Sequence, residues 1–275
     1  MTLSTIWNNP AKQKKVKTKK QKAIAATCAV AFWLLVWHVV SLCVGSELVL
    51  VSPVKVVQTL FTVIFDPDFL KTVWYSAARI LGGFFTALTL GTVLGWVASR
   101  FWVVETLLRP ITAVIKATPV ASFIILVLLW FSGKNLSVII SLLMVFPVIY
   151  MNVLEGIRSA DEKLLEMAQV FRLSVGKKLL YIYLPAVAPF FVSACSVSLG
   201  LCWKSGIAAE VIGTPGGSIG AVFYQAKIFL QTSELLAWTV VVVAVSVAFE
   251  KLFMFLLRLV LKKLKMEDVL NGKRA

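Results

Sequence analysis

Uninterrupted apolar runs decide what this chain can fold into. Between Trp238 and Phe249 there is not one charged residue, and stretches of similar character recur from Ile24 onward. A helix needs roughly 20 apolar residues to cross a hydrocarbon core of about 30 Å. In lipid, backbone groups must be satisfied within a helix or a closed barrel. Barrel strands alternate polar and apolar residues over short segments, whereas these runs are continuous. The pattern therefore predicts an all-α polytopic membrane protein. Composition agrees: 59% of the residues are hydrophobic and 15% charged, against about 25% charged in an average soluble domain.

Six transmembrane helices are expected, over about 23–44, 73–98, 111–131, 136–154, 186–207 and 235–261. After the first comes an extramembrane segment, 46–70. There Ser52-Pro53 reads as a helix cap followed by proline at the first helical position. Val56, Val57, Leu60, Phe61 and Ile64 continue at helical spacing, which predicts a short amphipathic helix at the interface, stopped near Asp66-Pro67-Asp68. Gly91 and Gly95 in the second span form a small-xxx-small pair suited to close helix packing. The third and fourth spans make a tight hairpin across Ser132–Asn135. They contain Pro119 and Pro147, which either face a pore or kink a packed helix.

The net charge of +15 has the distribution of topogenic charge rather than of a nucleic-acid surface. Lysines crowd both ends, from Lys12 to Lys22 and from Lys262 to Arg274, directly beside apolar spans. Twenty Lys and Arg fall on the side that holds both termini and the loop 157–184, and four fall on the other side. Positive charge stays on the cytoplasmic side, so the termini and that loop are expected in the cytoplasm and the protein in the cytoplasmic membrane. The chain divides into a basic tail (1–22), a transmembrane domain (23–261) that includes the loop 157–184, and a C-terminal tail (262–275). Ile24–Val44 is long enough to span, and no small-residue cleavage site follows it, so it reads as an uncleaved first helix. Cys28, Cys43, Cys195 and Cys202 lie in apolar runs without CxxC spacing and suggest neither a disulfide framework nor a metal site. No cofactor is implied. His38, the one histidine, reads as a hydrogen-bonded helix residue.

The loop 157–184 carries the most specific signal. Asp161–Val170 and Val175–Tyr183 read as two short helices. Leu164, Leu165, Ala168 and Phe171 recur at helical spacing and would form an exposed apolar face suited to docking in a partner's groove. Pro185 then opens the next span. Glu166-Met167-Ala168 is followed, at the matching offset, by Ile182-Tyr183-Leu184-Pro185. This resembles the Glu-Ala-Ala loop of binding-protein-dependent ABC permeases. Their pattern is Glu-Ala-Ala, three residues, Gly, nine residues, Ile-x-Leu-Pro. Two positions depart from it: Met167 replaces an alanine, and Arg172 replaces the glycine, with Gly176 four residues later.

The resemblance extends from roughly Leu50 to Arg258, and its nearest branch is the nitrate, sulfonate and taurine type. Ser52-Pro53, Arg79 with Gly83-Phe84, Trp130-Phe131-Ser132-Gly133, Trp203-Lys204 through Ala208-Ala209-Glu210 to Gly213, and Gly217 with Gly220 follow that branch's order and spacing. It implies the type I importer permease fold and a permease subunit of an ATP-driven importer for a small anion or a vitamin precursor. Implied partners are ABC ATPase subunits, an extracytoplasmic binding protein and a second permease copy. ATPase coupling would fall to Leu165, Glu166, Ala168, Phe171, Arg172, Gly176, Ile182, Leu184 and Pro185. A translocation path or gate would involve Arg79, Pro119, Pro147, Trp203, Lys204, Glu210 and Gly213. Glu210 either pairs with Lys204 to fix the glycine-rich loop, or leaves Lys204 and Arg79 to line an anion path. Glu250 reads as a packing or ion-pair residue.

The chain has no Gly-x-x-x-x-Gly-Lys-Ser/Thr pattern, so ATP hydrolysis is expected on a separate subunit. A secondary transporter or channel is the alternative; it would show inverted repeats and ionisable residues at mid-membrane. An intramembrane enzyme would need a nucleophile–base or metal constellation, and neither HExxH nor GxSxG occurs.

Overall fold

The computed structural model describes residues 19–264, so most of the expected tails 1–22 and 262–275 lies outside the described residues. The helices run α1 (Lys19–Val44), α2 (Pro53–Ile64), α3 (Phe69–Arg100), α4 (Trp102–Ala117), α5 (Val120–Trp130), α6 (Gly133–Arg158), α7 (Glu162–Val170), α8 (Val175–Lys178), α9 (Leu184–Gly213), α10 (Ile219–Ile228) and α11 (Thr232–Lys263). No strand occurs among the described residues. The expected first, second, fourth, fifth and sixth spans fall inside α1, α3, α6, α9 and α11, each long and apolar enough to cross a membrane.

The third span differs from expectation. Instead of one helix over 111–131, α4 and α5 meet at a bend of 110°. Proline has no N–H to donate and clashes with the carbonyl four residues back. It also pushes the preceding residue into extended conformation, and Thr118 takes φ −83°, ψ 133°. Pro147 does not break its helix. It is fully buried in α6, which is clamped between α3 and α9, so packing holds that helix together.

Close backbone approach sets the helix directions. A Cβ on Gly83 would meet the Val138 carbonyl at 2.4 Å, and one on Gly95 would meet Val153 at 3.0 Å. Rising numbers on α3 thus face rising numbers on α6, and the two helices are parallel. Because α3 and α6 run the same way, the chain between them must return across the membrane, and the bent pair α4–α5 makes that crossing. Gly133 abuts Gly213 while Gly156 abuts Val187, so α9 runs antiparallel to α6. Ser196 bonds Glu250 at 2.9 Å and Ala188 packs with Leu261, so α11 runs antiparallel to α9. Counting the bent pair as one span, the described residues hold six segments long and apolar enough to cross a membrane. The end of α3, the end of α6, the start of α9 and the end of α11 share one side with the loop 157–184.

The main core joins α3, α4, α5, α6 and α9 through Ile80, Phe84, Ile115, Ile124, Ile149 and Leu199. Between lipid-embedded helices, tight van der Waals packing replaces the hydrophobic drive that operates in water. The expected amphipathic helix is α2. Ser52 Oγ accepts from the Lys55 N–H at 3.3 Å and Pro53 sits at the first position. Leu60 and Val63 pack on Ala237, Trp238 and Val241 of α11, while Val57, Phe61 and Ile64 stay exposed. From Ile24 on, α1 leaves almost every side chain exposed.

Candidate coupling surface and translocation path

On the loop side, α7 and α8 are joined by a turn that Arg172 makes without glycine. The α7 carboxyl end closes with two bonds, Leu173 N–H to Ala168 O at 2.9 Å and Arg172 N–H to Gln169 O at 3.0 Å. This is the Schellman arrangement, in which the residue after the cap adopts left-handed conformation; Arg172 has φ +48°. The tight turn usual with glycine is therefore preserved. Leu173 then packs with Ala160, Ala168 and Ile182, the apolar contact that accompanies this motif. At the other end of α7, Asp161 accepts from the Lys163 N–H at 2.9 Å, as a cap should.

The apolar face lies elsewhere than its spacing suggested. Ala168 is fully buried and Leu165 packs inward beside it, so these two anchor the loop. Leu164 and Phe171 are exposed as expected, and they are joined by Met167, Val170 and Val175. Val170, Phe171 and Val175 are 79%, 72% and 81% exposed; they form an unpartnered ridge at the α7–α8 turn. Glu166 is exposed beside it and makes no hydrogen bond or ion pair among the described residues.

The second short helix is also not separate. From Val175 the chain stays helical through Leu179–Tyr183, where the turn widens to a π-type bond from Leu184 N–H to Leu179 O, and runs on as α9. A π-turn relieves the crowding that proline imposes on the carbonyl four residues back, and Pro185 follows directly. Ile182 is buried against Ala168, and Leu184 packs with Ala188 and Leu261. Gly176 is exposed, with open space around it. Beyond the Arg172 turn one continuous helical rod runs from Val175 into α9, so displacement of that turn would reach α9. An ion pair that the sequence reading missed, Arg158 to Glu105 at 2.5 Å, ties the end of α6 to the first turn of α4 just before this loop. Each charge suits the helix terminus it occupies.

On the opposite side, Glu210 is fully buried near the end of α9. It does not pair with Lys204, whose side chain points outward. Its Oε2 instead accepts from Ser76 Oγ at 2.6 Å and from the Gly220 N–H at 3.3 Å. Ser76 Oγ accepts in turn from the Ile219 N–H at 2.9 Å. Buried polar groups need such partners. The carboxylate locks α3, α9 and the start of α10 together. Only glycine fits at 220, where a Cβ would come within 2.2 Å of the Glu210 Cβ. The expected outer loop 208–233 is thus mostly helical, with a short turn at 214–218.

Arg79 forms no salt bridge with Glu210 among the described residues. It donates to the Lys134 carbonyl, and its guanidinium lies 3.9 Å from the Tyr75 ring centroid. Trp203 and Pro147 are enclosed within the protomer, whereas Pro119 and Lys204 are exposed and Gly213 is half-buried against Gly133. The candidate path residues therefore fall into an internal set and a surface set. Glu250, whose partner was not legible, accepts from Ser196. His38 Nδ1 has no hydrogen-bond partner among the described residues.

Comparison with known proteins adds to this geometry. The family model described as the binding-protein-dependent transport system inner membrane component matches residues 87–266. A Bacillus subtilis (strain 168) protein named as an aliphatic sulfonates transport permease is 29% identical over 242 residues, covering 87% of each chain. The taurine transport system permease protein of Escherichia coli (strain K12) is 27% identical over 220 residues, 78% of this chain and 80% of its own length. The nitrate import permease protein of a Synechocystis species is 25% identical over 250 residues, 87% of this chain and 90% of its own.

Proposed function

The chain belongs to the binding-protein-dependent transport system inner membrane components, the permease subunits of ABC importers; on that premise we propose that it carries a small oxyanion inward across the cytoplasmic membrane. The relatives' names, which specify sulfonates, taurine and nitrate, support an anionic substrate. ATP hydrolysis falls to separate ATPase subunits that grip the ridge of Met167, Val170, Phe171 and Val175, with Glu166 at its edge. A binding protein delivers the anion to the opposite face, around α2 and α10. Two copies of the permease enclose the path, and both termini lie with the coupling loop in the cytoplasm. Arg79, Pro119, Lys204 and Gly213 border the path. Pro147, Trp203 and Glu210 hold the walls behind it.

One observation carries the coupling assignment: an unpartnered apolar ridge stands on a loop whose far end is helically continuous with α9. ATP-driven closure of the ATPases would shift the two-state equilibrium of the path through that rod. The test is affinity purification of tagged protein from its native membrane, with mass spectrometry of what accompanies it. A nucleotide-binding ATPase subunit is expected with wild type and lost with Glu166→Arg. A folded wild-type protein that brings down no ATPase would sink the assignment.

A further inference from the structure

Two cations on the third crossing take no part in the coupling surface or in the Glu210 network. Arg109, Thr112, Ala113, Lys116 and Ala117 repeat at helical spacing along one face of α4. With Met151 of α6 they line an open cavity of about 360 Å³. Lys116 Nζ lies 3.4 Å from Met151 Sδ. Neither Lys116 nor Arg109 is ion-paired among the described residues.

Depth makes this placement informative. Met151 precedes the end of α6 at Arg158 by about 10 Å, at 1.5 Å per residue. The Lys116 ammonium, beside Met151, therefore lies about 10 Å in from the loop-side end of a spanning helix, within a hydrocarbon core of about 30 Å. An ammonium there is costly against lipid and belongs against protein or a water-filled cavity. The helix also breaks immediately beyond it, at Thr118-Pro119, and non-helical backbone at that depth is tolerated where it lines such a cavity.

We propose that this face of α4 is an anion station in the translocation path. Lys116 and Arg109 supply the positive potential, and Met151 supplies an apolar wall suited to the short carbon chain of an alkanesulfonate. The proposal rests on the importer assignment and adds a site to it. Arg79 and Lys204, the cations that the sequence points to, lie on other helices.

The experiment uses the assembled importer with Cys28→Ala and Cys43→Ala, which removes the two exposed thiols and gives the background control. Ala113→Cys is then labelled with anionic sulfonatoethyl and cationic trimethylammonioethyl methanethiosulfonate. Ala117→Cys serves as a second position. Focusing of a positive potential in a cleft is expected to favour the anionic reagent by about tenfold, relative to the ratio on a free thiol. Lys116→Gln should bring the ratio toward parity, while Lys116→Arg should preserve it. Equal rates for the two reagents, a preference unchanged by Lys116→Gln, or a thiol that neither reagent reaches would each overturn the station. ATPase recovery in the same preparations reports separately on the importer assignment. Its loss with the charge preference intact would defeat that assignment and leave the anion site standing.

Discussion

Arg172 holds a conformation that side chains disfavour, and the surrounding turn explains why it is tolerated. Two backbone bonds and the burial of Leu173 depend on φ +48° at this position. Left-handed backbone costs a residue with a Cβ roughly 1 kcal/mol, partly offset because glycine loses more chain entropy on folding. Arg172→Gly is therefore expected to raise the melting temperature of the detergent-purified protein slightly, and Arg172→Val to lower it. A fall with glycine would mean that the arginine side chain stabilises the loop. Glu210 makes the opposite case, since its side chain is the stabilising group. Glu210→Gln keeps an acceptor for Ser76 and the Gly220 N–H. Glu210→Ala leaves buried donors unpaired, at about 1–3 kcal/mol each. Thermal melts should show a small loss for glutamine and a large one for alanine; equal losses would contradict the network. Glu210 was legible as a loop-fixing residue, but its partners were not. Ser76 is distant in sequence, Gly220 contributes only a backbone N–H, and neither carries a charge that marks it as a partner.

Among the elements, α7 was legible as a helix but its orientation was not. Leu164, Leu165, Ala168 and Phe171 share helical spacing, and spacing alone cannot say which side of a stripe turns inward. The tertiary contact with Ile182 draws Ala168 and Leu165 in and turns Met167 and Val170 out. It follows that Phe171→Ala and Val170→Ala should leave the permease's melting temperature unchanged while weakening ATPase binding, by about tenfold for an anchor worth roughly 1.4 kcal/mol. Reconstitution with the purified ATPase checks this; unchanged affinity would move the docking surface elsewhere. The two prolines teach a similar lesson. Pro119 and Pro147 look alike in sequence, yet one ends a helix and the other is carried within one. Pro147 is buried in a helix packed on both flanks, by α3 and α9, whereas Pro119 is exposed at its junction.

At the scale of the whole molecule, the parallel pairing of α3 with α6 settles that the bent pair crosses the membrane, and with it the relative sides of every loop. The assignment to cytoplasm or exterior rests on the twenty-to-four charge bias. Single cysteines at Asp66 and Gly216 are expected to react with an impermeant maleimide in intact cells. Cysteines at Ser159 and Leu264 should react only after permeabilisation, and the reverse pattern would invert the topology. The sequence by itself determined the apolar segments, their number, the capped amphipathic helix and the family's loop motif at Glu166–Pro185. These depend on local composition and on spacing along one chain. Only the tertiary structure decided that the third crossing bends by 110°, that Glu210 engages Ser76 and Gly220 rather than Lys204, and that Lys116 of α4 and Met151 of α6 line one open cavity. Those outcomes depend on which helices touch, and helix contact is set by close packing between residues far apart in the chain.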